Sequence, residues 1–126
     1  MSIPDPVRLW HFLPRGYLLT VAIEGPILLA ALSPRHGWRT RLHAAWWLTA
    51  CTYPIVILVL PILIEPSLGW WGCTLIAEVF AAVAEALLFH AAFGRGGTRA
   101  DHVRDSAVVM LANVASFLVG LGWFSN

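Results

Sequence analysis

The sequence predicts an all-α, polytopic bundle of four transmembrane helices. Three observations carry that expectation: the overall hydropathy, four apolar stretches near membrane-crossing length, and an uneven placement of arginine. Hydrophobic residues make up 59% of the chain and charged residues only 12%, with a mean hydropathy of +0.73. So few charges cannot cover a soluble globule. The length of 126 residues fits a single integral membrane domain, 1–126, in which lipid or partner helices cover surface that a soluble protein would bury. A net charge of +1 with no basic patch leaves no footprint for nucleic acid.

The apolar stretches are expected at about 17–32, 42–64, 68–93 and 107–124, against the roughly 20 residues a spanning helix needs. The first is short and carries Glu24. Arg8 and Arg15 ahead of it mimic a signal peptide, but the mid-run acid and the lack of a small-residue cleavage site mark a retained helix. Trp10, His11 and Phe12, between prolines, read as an anchor at the outer surface. Pro66 and Gly69 separate the second and third stretches with almost no loop, which predicts a tight helical hairpin. Asp105 and Ser106 precede the fourth and are expected as its N-caps. The two cysteines, Cys51 and Cys73, are expected about 12 Å apart in depth, too far for a disulfide, and buried as small apolar residues.

All eight basic residues are arginines. Arg35, Arg39 and Arg41 lie in the first connection and Arg95, Arg99 and Arg104 in the third. Arg8 and Arg15 precede the first helix, and the second connection has none. This six-to-two bias places the first and third connections in the cytoplasm and both termini outside, in a multi-pass protein of the cell membrane. Trp70, Trp71 and Trp123 then mark the outer interface and Trp38, Trp46 and Trp47 the inner one, an aromatic-belt pattern.

Within the apolar stretches sits a set of residues that lipid disfavours. These are Glu24 in the first helix; Thr49, Thr52 and Tyr53 in the second; Glu78 and Glu85 in the third; and Asn113 in the fourth. An ionisable group at such depth costs about 2.5–3.5 kcal/mol on insertion scales and faces a bundle interior. Counted from the cytoplasmic ends, Glu24, Thr49, Glu85 and Asn113 fall about 10–12 Å deep, in one layer. Glu78 and Glu85 are seven apart and share a helix face, with Ala81 and Ala82 between them. Ser106, Asn113, Ser116 and Gly120 share a stripe on the fourth helix. Pro26 and Pro54 flank the layer and free the carbonyls of Ala22 and Ala50. The set reads either as an ion or proton site or as interhelical polar glue. Glu65, at the outer end of the second helix, is expected to be solvated.

His43 and His90 lie near the cytoplasmic ends of neighbouring helices and are the weak candidates for a haem or metal, joined on that side by His36 and His102. No motif spacing supports a particular cofactor, and the cofactor is left unknown. No phosphate loop, HExxH or nucleophile elbow is present.

The stripes resemble those of small four-helix bacterial integral membrane proteins. In these, a first-helix Glu, a polar-Thr-x-Pro turn, two Glu seven apart, and an Asn followed by Ser-Phe and Gly recur. Here they correspond to Glu24, Cys51-Thr52-Tyr53-Pro54, Glu78 with Glu85, and Asn113 with Ser116-Phe117 and Gly120. The second helix of those proteins often carries Asn where Cys51 stands. The resemblance runs from about residue 20 to 122 and implies no activity. By size and its first-helix Glu the chain is also similar to small multidrug-resistance transporters, whose characteristic sequence it does not match.

Three functions are compatible with this sequence. One is an accessory or structural subunit packing its polar faces against other membrane subunits or further copies of itself. The second is a proton- or cation-coupled transporter or channel using the intramembrane glutamates. The third is a membrane-embedded enzyme or redox carrier.

Overall fold

The computed structural model describes residues 6–124, whose regular elements are all helical. Helix α1 spans Pro6–Ala31 and α2 spans Trp38–Pro54. A five-residue π-helical segment, Ile55–Val59, follows α2; α3 then spans Leu60–Phe93 and α4 Arg99–Phe124. Because α2, the π segment and α3 run on without a loop, the apolar helical stretches number three rather than the expected four: Val7–Ala31, Trp38–Phe93 and Arg99–Gly122. Each is long and apolar enough to cross a membrane, as in a multi-pass membrane protein.

The middle stretch is not straight. A straight helix would hold Thr52 and Glu85 about 50 Å apart, yet their side-chain oxygens are 2.7 Å apart. The chain reverses at Gly69, the one residue inside α3 with non-helical dihedrals (φ 77°, ψ 178°). That region is open to glycine and closed to residues with a Cβ. The expected hairpin is therefore present, but so tight that helical bonding continues on both sides of the turn. The arms pack in a ring in which α1 touches α2 and α4, and α3 touches α2 and α4.

Several boundaries differ from expectation. Helix α1 starts at Pro6, not near residue 17, so Trp10, His11 and Phe12 are helical. Proline suits a first helical turn, and Pro14 is carried inside the helix. Helix α4 starts at Arg99, capped by Thr98 and not by Asp105 or Ser106. Thr98 Oγ1 accepts from the Asp101 N–H at 3.1 Å and Asp101 Oδ2 accepts from the Thr98 N–H at 3.1 Å, a reciprocal capping box. Cys73 is buried, but Cys51 is exposed on the outside of α2. Trp123 lies outside the described side chains.

One end of the ring is closed. Leu28, Leu32, Ala44, Ala45, Leu48, Phe89, Val109 and Ala112 form a continuous buried cluster there. Arginines then cap the exposed helix ends. Arg41 donates to the carbonyls of Leu29, Ser33 and His36, and Arg104 to that of Ala31. Arg35 donates to the carbonyls of Phe93 and Arg95 at the end of α3. Helix C-termini leave four carbonyls without intrahelical partners, and a guanidinium satisfies several at once.

Candidate functional site

Between the closed end and the Gly69 hairpin the ring encloses a half-open cavity of about 470 Å³, within the range of small-molecule sites. All seven residues of the expected polar set line it: Glu24 from α1; Thr49, Thr52 and Tyr53 from α2; Glu78 and Glu85 from α3; and Asn113 from α4. It continues past Leu19, Val56 and Phe117 to Phe12, Glu65 and Trp70 at the hairpin end. Among the described residues, the lining contains no arginine and no histidine.

Local sequence explains how these groups reach the interior. Ala77 and Ala81 on the Glu78–Glu85 face are small and buried, which lets α3 approach its neighbours closely. The π segment after Pro54 turns Val56 and Ile57 into the cavity wall. Pro61 follows one turn later and joins that wall. Proline withholds an amide from the helical ladder, and widened turns commonly accommodate such a break. Tyr53 lies over α1 at Gly16, where a Cβ would collide with the phenol hydroxyl.

The floor of the cavity is a hydrogen-bonded layer. Glu24 and Glu85 are each only 2% exposed. Oε2 of Glu85 lies 2.7 Å from Thr52 Oγ1, and its Oε1 accepts from Asn113 Nδ2 at 3.3 Å. Asn113 Nδ2 also donates to the Val109 carbonyl at 3.0 Å. On the opposite wall Glu24 Oε2 lies 2.8 Å from Ser116 Oγ. Thr49, fully buried, contacts the carbonyl of Ala45 from its hydroxyl at 3.4 Å. Glu78 is half-buried, lines the same space and makes no hydrogen bond among the described residues.

Two expectations change. Glu65 is half-buried and borders the cavity instead of standing free in solvent. His43 and His90 occupy separate ring clusters: His43 packs with Trp46, Trp47 and Phe93, and His90 meets His102 with ring centroids 4.6 Å apart. No group of three metal-ligating side chains forms among the described residues.

Sequence reading missed Ser116 as a carboxyl partner and missed a second polar centre altogether. Asp105, 3% exposed, accepts from the Ser33 amide at 2.7 Å and the Ser33 hydroxyl at 2.9 Å, and pairs with His36 Nε2 at 2.9 Å. The serine hydroxyl and the histidine ring both bond the same carboxylate and not each other, so this is a clasp between the α1 terminus and α4 and not a nucleophile with its base. The signal was weak, because Ser33 and Asp105 lie 72 residues apart. No protein-family model, curated protein or solved structure matches this chain, so its own geometry carries the functional argument.

Proposed function

We propose that this is a four-crossing membrane protein, with residues 38–93 crossing twice around Gly69, that binds a cation in its interior cavity as a proton- or cation-coupled carrier. The observation that carries this reading is the convergence of Glu24, Glu78 and Glu85, without a basic partner among the described residues, on one half-open cavity. Intramembrane carboxyls of this kind mark ion and proton pathways. The accessory-subunit reading rested on polar faces waiting for a partner chain. Here those faces are turned inward, and Glu24, Glu85, Thr52 and Asn113 are bonded within one chain, which favours the carrier reading.

The arginine bias sets the closed end in the cytoplasm and the hairpin and both termini outside. The cavity is then reached from the outer face, and the apolar cluster around Leu28, Leu48 and Phe89 is the barrier to the inner one. Reporter fusions at the C-terminus should score as extracytoplasmic, and a cytoplasmic score would reverse the direction of access. In proteoliposomes, a pH gradient should drive uptake of an organic cation. Replacing all three acids (E24Q/E78Q/E85Q) should reduce that uptake to the level of empty liposomes; unchanged uptake would sink the carboxylate mechanism.

A further inference from the structure

The three cavity acids have unlike surroundings, and counting hydrogens separates their roles. The Thr52 hydroxyl has one hydrogen but two acceptor neighbours, Glu85 Oε2 at 2.7 Å and the Leu48 carbonyl at 3.2 Å. The Ser116 hydroxyl is in the same position, 2.8 Å from Glu24 Oε2 and 3.0 Å from the Asn113 carbonyl. Both contacts of each hydroxyl are hydrogen bonds at once when the carboxyl supplies the second hydrogen. Glu85 then donates to Thr52 and Thr52 to Leu48; Glu24 donates to Ser116 and Ser116 to Asn113. The Asn113 amide points at Oε1 of Glu85, the oxygen left to accept. Among the described residues, no positive side chain lines the cavity to offset ionised acids.

Glu78 differs. It stands seven residues, or about 10 Å, from Glu85 toward the hairpin end, half-buried and without a hydrogen-bond partner among the described residues. Among the described residues, the ionisable groups around the same space are Glu24, Glu85, Glu65, Cys73 and Tyr53, none of them a cation. The walls beside it are apolar, among them Leu19, Val56 and Phe117.

We infer that Glu24 and Glu85 are neutral, hydrogen-donating acids that hold the cavity floor, and that Glu78 alone is the carboxylate that meets the ligand, a monovalent organic ammonium with an apolar body. This rests on the cation-binding reading of the cavity and assigns its substrate class. One carboxylate without a hydrogen-bond partner among the described residues balances one charge, and the apolar walls receive the rest of the molecule.

Binding of benzyltrimethylammonium to the purified protein in detergent, against its neutral carbon isostere neopentylbenzene, tests both levels. The wild type should prefer the cation. E78Q should lose about tenfold or more in affinity for it, close to the value of one charge pair. E24Q and E85Q should each lose less affinity than E78Q, because a glutamine amide donates as the neutral acid does. Infrared spectroscopy supplies a readout independent of ligand: E24Q and E85Q should each remove part of the carboxylic-acid carbonyl band. A wild type indifferent to charge would overturn the cation reading and this assignment together. A wild type that prefers the cation while E78Q binds equally well would overturn the assignment alone. So would a band untouched by either E24Q or E85Q.

Discussion

The two ends of the bundle solve the same problem, polar groups next to lipid, in opposite ways. At the arginine end the buried polar groups are bonded to one another: guanidinium groups cap helix carbonyls, and Asp105 clasps Ser33 and His36 over a dense apolar cluster. Only Arg35 Nε is left without a partner among the buried side-chain polar atoms described. Toward the hairpin the helices stand apart around about 470 Å³ of space, and Glu78 keeps free acceptors. A membrane bundle gains little from hydrophobic attraction between its helices. Closing one end by hydrogen bonds and apolar packing therefore lets the other end stay open without loss of the fold.

If that division holds, damage at the arginine end should cost stability and damage at the hairpin end should cost the cavity. The largest effect is expected for Asp105→Ala, which strands the buried Ser33 amide and the His36 ring. A loss of about 2–4 kcal/mol, in line with one or two buried groups left unpaired, should appear as a lowered thermal midpoint in detergent. Cation binding by the surviving folded fraction should be retained. A midpoint equal to wild type would mean the clasp holds nothing, and the contrast between the ends would fail.

Gly16→Ala is the counterpart at the other end and is expected to be smaller. The added methyl displaces the Tyr53 phenol from its seat on α1, an overpacking of about 1–3 kcal/mol at most, eased by ring movement. The midpoint should fall less than for Asp105→Ala, while affinity for the cation probe changes. Adding Tyr53→Phe removes the colliding hydroxyl and should restore part of both. No rescue would show that the Gly16–Tyr53 contact does not shape the cavity.

Much of the site was legible because the physics of lipid makes it so. A glutamate in an apolar helix has few places to go, so Glu24, Glu85 and Asn113 pointed inward from their depth alone. Thr49 followed from the same count. Ser116 was placed on the right stripe, but its bond to Glu24 depends on how α1 and α4 are rotated, which no single helix reveals. Glu65 was misjudged because the π segment and the hairpin turn its end of the helix toward the cavity. The start of α4 was misread for a related reason: Asp105 has the chemistry of a cap, but Thr98 is spaced to form the box and Asp105 is drawn away by Ser33.

By itself the sequence determined the helical class, the reversal at Gly69, and the set of residues unfit for lipid, because each follows from local chemistry: hydropathy, backbone freedom and the cost of buried charge. The tertiary structure decided what those residues face. Whether a polar stripe meets a partner chain, another helix or empty space is fixed by helix rotation and by which end is sealed. Those depend on contacts between residues as far apart as Ser33 and Asp105, or Glu24 and Ser116.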